Sequence, residues 1–100
     1  MKMTEKQIEI MDLWLNDHEQ EFDVHGICVE HQGEKGWVKK RDKNGKKWMF
    51  PEVRRLLSQL DFLGMLKYNT LFYCPSIKYY RPTMKGIAYL YNRKMASGDK

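Results

Sequence analysis

The sequence has little of what a secreted or membrane-spanning protein needs. It carries two cysteines, Cys28 and Cys74, where a secreted scaffold of this size would normally hold several bridges. Its longest stretch without a charged side chain, Tyr68 to Ile77, is about half of the ~20 residues of a spanning helix, and Asn69 and Pro75 interrupt it. The opening residues MKMTEKQIEI contain no apolar signal-peptide core. No membrane partner is expected, and the chain reads as a reduced, cytoplasmic protein. Catalytic signatures are missing too: there is no GxSxG, no Gly-rich loop ending in Lys-Ser/Thr and no HExxH. The carboxylates show no spacing that would set up a tuned acid–base pair. Neither an enzyme nor a cofactor is expected.

What remains is 100 residues, 42% hydrophobic and 31% charged, enough for one core and no second one. The expected organisation is a single domain over 1–95 with a frayed tail at 96–100. The net charge of +5 conceals an asymmetry. Residues 1–34 hold 2 basic and 9 acidic side chains, 35–55 hold 9 and 2, and 56–100 hold 7 and 2, giving −7, +7 and +5. An acidic first third followed by a basic remainder suits a protein with one face for a polyanion, although two solvated faces of opposite sign would look the same.

Thr4 and Gln7 stand at capping-box spacing ahead of Ile8, Met11, Trp14 and Leu15, which predicts a first helix over about 5–17. Asp23 is placed to cap a second, running from Val24 to about Gln32 with Val24, Ile27, Cys28 and His31 on one side. Trp37 and Trp48 then bracket a basic segment centred on Asn44-Gly45. That dipeptide suits a type I′ hairpin turn, with a flexible basic loop as the second reading and both tryptophans anchoring the base. Pro51 opens a third helix with Val53, Leu56, Leu57 and Leu60 inward, and Gly64 stops it. Met65 to Tyr73 and Ile77 to Arg81 read as strands around a Cys74-Pro75-Ser76 turn, ended by Pro82. Thr83 caps a last helix with Ile87, Leu90 and Tyr91 inward, fraying from Asn92.

Helix, short helix, basic insert, helix, hairpin, helix is the order of an α+β winged helix-turn-helix. Leu56 to Leu66 fits LLxxLxxxGxL, and Lys78-Tyr79-Tyr80-Arg81-Pro82-Thr83-Met84-Lys85-Gly86 resembles the KYYRLTxKG segment of the PadR family of winged-helix transcriptional regulators. Val24-His25-Gly26 is similar to that family's HGY segment, and Phe50 takes the place of its aromatic residue before the recognition helix. The resemblance covers residues 24–33 and 50–91. Pro82 stands where the family has Leu, the insert at about 34–49 is longer than the family's connection, and the family's extension of the fourth helix into a dimerisation element is not found before Lys100.

The resemblance implies a DNA-binding transcription regulator with double-stranded DNA as partner. Arg54, Arg55, Ser58 and Gln59, on the outer side of the recognition helix, would read base edges in the major groove. Lys67, Lys78 and Arg81 on the wing, with Lys39, Lys40, Arg41, Lys43, Lys46 and Lys47 in the insert, would contact phosphates, which supply affinity and register but not sequence choice. A two-fold site would require a homodimer. The alternative is a winged-helix protein-interaction module, or an inhibitor of a nucleic-acid-handling machine of the kind phages and mobile elements encode. Its docking face for a protein partner would be Glu5, Glu9, Asp12, Asp17, Glu19, Glu21 and Asp23.

Two smaller constellations have competing readings. His25, Cys28 and His31, with Cys74 as a fourth ligand, could form a zinc set, but i and i+6 on one helix diverge and no CxxC or HxxxH pair is present; no metal is expected. Tyr68, Phe72, Tyr73, Tyr79 and Tyr80 could stack single-stranded bases. Alternation along a hairpin instead turns about half of them inward, with Tyr68 and Tyr80 the expected exceptions.

Overall fold

The first helix, α1 (Glu5–Asn16), begins at the capping box in the sequence. Gln7 N–H donates to Thr4 Oγ1 at 3.2 Å, and Thr4 N–H donates to Gln7 Oε1 at 2.9 Å, so two otherwise orphaned amides are satisfied by each other's side chains. In this computed structural model, which describes residues 3–16, 22–71 and 73–96, the buried stripe of α1 is rotated from the expected one. Met3, Gln7, Ile10 and Met11 lie deepest, while Ile8, Trp14 and Leu15 are half-buried. Asp17, Glu19 and Glu21 fall outside the described residues.

Asp23 caps α2 (Val24–Cys28) by accepting from Gly26 N–H at 2.9 Å. The helix ends at Cys28, four residues before the expected Gln32. Val29 is extended (φ −143, ψ 158), a conformation its β-branched side chain favours, and it opens β1 (Val29–His31). This strand pairs antiparallel with β2 (Trp37–Lys39) in the register Val29↔Lys39, Glu30↔Val38, His31↔Trp37. The basic segment continues into a tight reversal: Asp42 N–H donates to Lys46 O and Gly45 N–H to Asp42 O. Gly45 has φ 87 and no non-glycine residue among those described has positive φ, so Asn44-Gly45 does not form the expected type I′ turn. The three-residue form, with one left-handed glycine closing the loop, takes its place.

Helix α3 (Phe50–Phe62) has Pro51 in its first turn and buries Val53, Leu56, Leu57 and Leu60, as the spacing predicts. It ends in a Schellman pair, Met65 N–H to Leu60 O and Gly64 N–H to Asp61 O, with Gly64 at φ 80. Strands β3 (Leu66–Leu71) and β4 (Cys74–Pro82) form the second antiparallel hairpin, from Leu66↔Pro82 through Thr70↔Lys78 to Leu71↔Cys74 after a register shift. Cys74, Pro75 and Ser76 are therefore strand residues and not the turn. The ladder does end at Pro82.

Thr83 caps α4 (Met84–Ala96): its Oγ1 accepts from Gly86 N–H at 3.0 Å and donates to Gly64 O at 2.5 Å. Leu90 is buried, but Ile87 is only half-buried and Tyr91 is exposed, so the inward face is narrower than expected. The helix runs past Asn92 to Ala96; residues 97–100 lie outside the described residues. The core joins these elements through Ile10, Met11, Trp48, Leu57, Leu60, Leu66 and Leu90. The chain is thus α+β, four helices with two small antiparallel hairpins among the described residues, an arrangement compatible with a winged helix. No helix among the described residues is long and apolar enough to cross a membrane.

Candidate nucleic-acid interface

Burying Val53, Leu56, Leu57 and Leu60 turns the other side of α3 outward by the 3.6-residue repeat. Arg54, Arg55, Ser58 and Gln59 are all exposed there. Gln59 differs from the other three, because its Oε1 accepts a 3.0 Å hydrogen bond from Nε2 of the buried Gln7. It therefore helps to seat α1 against α3, and its amide is oriented by the scaffold.

The insert divides similarly. Lys39, Lys43, Lys46 and Lys47 are exposed. Lys40 is half-buried and donates to Gly26 O at 3.2 Å, tying the insert to α2. Arg41 donates to Gly45 O at 2.8 Å and braces its own turn. The turn is fixed to the body by an acid. Asp42, with its side chain 1% exposed, accepts from Lys6 Nζ at 2.5 Å through Oδ2 and from the Asn44 and Lys46 N–H groups through Oδ1. These donors hold the Asp42 carboxyl down at about 2, the Lys6 bond first among them and burial opposing. The same bond raises the Lys6 ammonium. Lys6 also stands 3.7 Å from Glu52 on α3 and 4.4 Å over the Trp48 ring. Glu9 of α1 accepts Lys43 N–H at 2.8 Å.

Trp48 anchors the insert as expected, 2% exposed. Trp37 does not: it is 63% exposed. His31 reaches it across the β1–β2 ladder and His25 from α2, with ring centroids at 5.1 and 5.0 Å and steep interplanar angles of 79° and 75°. The zinc set gains no support from this placement. The three residues lie on two elements, Cys28 is buried with its thiol pushed up to about 11 by desolvation, and the described residues contain no metal-holding group of His, Cys, Asp or Glu. The Cys74 side chain lies outside the described part of the structure.

On the β3–β4 hairpin, Lys67 and Arg81 are exposed partners directly opposite each other. Two like charges at that spacing repel, which an approaching anion relieves. Lys78 projects from the other side, its Nζ 4.6 Å from the Tyr68 ring. Tyr68 packs at 5.7 Å on Tyr80. Tyr80 is buried, contrary to expectation, while Tyr68 is exposed as expected. Burial draws Tyr80 in because its backbone lies against Phe22, whose carbonyl accepts Tyr80 N–H at 3.0 Å. Phe72 lies outside the described residues.

Sequence reasoning misses the Asp42 clamp although it leaves a signal: Asp at the first and Gly at the fourth position of a turn is the type I preference. The histidines around Trp37 leave none, since cross-strand partners depend on register. No family model matches the chain, and no match was found among curated proteins or solved structures.

Proposed function

We propose that the protein is a winged-helix DNA-binding protein that regulates transcription, with α3 in the major groove of duplex DNA and the β3–β4 hairpin as its wing, like the PadR-type regulators that its sequence resembles. The observation that carries this reading is the outward face of α3, where Arg54, Arg55 and Ser58 stand exposed and without an acidic partner among the ion pairs of the described residues. An arginine there can offer a two-pronged donor to guanine. The Phe22–Tyr80 backbone bond adds support, because it sets Phe22, just ahead of α2, beside the hairpin, where a winged helix has its first strand. Lys67 and Arg81 would meet phosphate from the wing, and Lys39, Lys43, Lys46 and Lys47 from the insert. Lys40 and Arg41 have internal partners and act mainly on the shape of the insert.

The protein-interaction reading has less behind it. Three carboxylates of its acidic docking face are engaged within the fold: Glu9 holds the Lys43 amide, Asp12 pairs with Arg93 at 3.1 Å, and Asp23 caps α2. Titration of a labelled mixed-sequence duplex at low salt tests the DNA reading. Saturable binding is expected, and no binding at low salt would overturn it.

A further inference from the structure

We infer that Trp37 is a stacking platform for an unpaired nucleobase flanking the duplex site. The inference rests on the DNA-binding reading above and goes beyond it by naming a second binding element and its ligand.

An indole is among the largest apolar surfaces a side chain offers, and leaving 63% of it open gives up most of what its burial would contribute. Trp37 is nonetheless positioned. It is fixed in the β1–β2 ladder opposite His31 and met by His25 from a separate helix. Both imidazoles meet it in T-shaped contacts and not in parallel stacks, and 63% of the residue stays open to solvent. A held, open aromatic ring is what base stacking requires, and preorganisation lowers the entropic cost of using it.

The surroundings favour an anionic polymer. Lys39 lies two residues along the same strand and so on the same side of it as Trp37, and it is exposed. The path from Trp37 to α3 is short: the His25 ring lies 5.0 Å from Trp37 and 6.2 Å from Phe50, the first residue of α3. Lys39 stands opposite Val29, the residue that follows α2, in the β1–β2 register, which sets the charge of the insert beside α2. Trp37 therefore flanks the N-terminal end of the proposed recognition helix. Bases inside a duplex have both faces covered by their neighbours. An indole beside the helix can stack only on a base that is unpaired, at an overhang, a fork or a melted step.

The test compares two labelled DNAs with the full-length protein, a blunt duplex and the same duplex carrying a short single-stranded thymine overhang. The wild type should bind the overhang form about tenfold more tightly, within the range of one stacked base. Trp37→Ala should lose that preference and keep its affinity for the blunt duplex, and Trp37→Phe should retain part of it. Indole emission, corrected by the Trp37→Phe protein, should be quenched by the overhang DNA and not by the blunt one. That readout needs no alanine variant. A preference unchanged in Trp37→Ala, or an equal loss on both DNAs, would overturn the inference. Tight binding of both DNAs without preference or quenching would also overturn it while leaving duplex binding intact. Failure of the wild type to bind either DNA would remove both.

Discussion

The Lys6 ammonium lies 2.5 Å from the Asp42 carboxylate, joining the first helix to the turn that carries Lys43, Lys46 and Lys47. Asp42 is the only acid within the basic run from Lys39 to Lys47, and it points inward while the lysines beside it are exposed. Its two oxygens hold Lys6 on one side and the Asn44 and Lys46 amides on the other. The basic turn is thus presented from a fixed position, with Trp48 buried beneath it, and does not have to be ordered when an anion arrives.

That pair sets a pH dependence. The Asp42 carboxyl titrates at about 2 in the fold against an ordinary 3.8, so its contribution to stability is present above the ordinary value and is lost as pH falls through about 2. Lys6 is raised above 10.5, so its contribution is present below that value and is lost as pH rises through the higher folded one. Stability should therefore hold a plateau between these limits. Asp42→Asn should lower the melting temperature at neutral pH and flatten the acid limb of the wild-type curve, as followed by circular dichroism. An unchanged acid limb would show that the clamp does not form in solution.

Gly86 is required by space. A Cβ there would sit 2.1 Å from the Met65 carbonyl oxygen, part of the backbone and unable to swing aside. Gly86→Ala should destabilise the fold by about 1–3 kcal/mol or more despite alanine's better helix propensity. Leu57→Ala, at a fully buried site, should cost about 2–5 kcal/mol. Urea unfolding measures both, and a stabilised Gly86→Ala protein would contradict the close approach of α4 to the α3–β3 junction.

The arginines and the lysines should separate by function. Arg54→Ala with Arg55→Ala should narrow the affinity gap between preferred and unrelated sequences, by about 1–3 kcal/mol for each base-edge interaction removed. Lys43→Ala with Lys46→Ala should weaken all sequences alike. Selection of preferred sites from a random duplex pool, followed by competition titrations, measures both. The opposite pattern would show that α3 is not the reading element.

The parts of the fold legible in the sequence are those fixed by local chemistry. The Thr4/Gln7 box, the Asp23 and Thr83 caps, the α3 leucine stripe and the Gly64 stop all act within a turn or two of chain, and each is found where spacing places it. Expectation and structure part where distant segments decide. The short α2 gives way to β1 because β2 pairs with it, Tyr80 is drawn inward by Phe22, and Trp37 is left outside because its partners come from another strand and another helix. The candidate site divides the same way. The exposure of Arg54, Arg55 and Ser58 follows from helical period alone, whereas Gln59, Lys40 and Arg41 are committed to internal bonds that no spacing reveals.

Whether the exposed basic residues bind duplex DNA is decided by measuring duplex affinity across a range of salt concentrations. Each phosphate neutralised should add about −0.9 to the slope of log K against log salt. A steep slope is expected, and it should become shallower when Lys43 and Lys46 are replaced by alanine. A flat salt dependence would contradict the DNA-binding reading, and a steep slope unchanged by those replacements would contradict the proposed role of the insert.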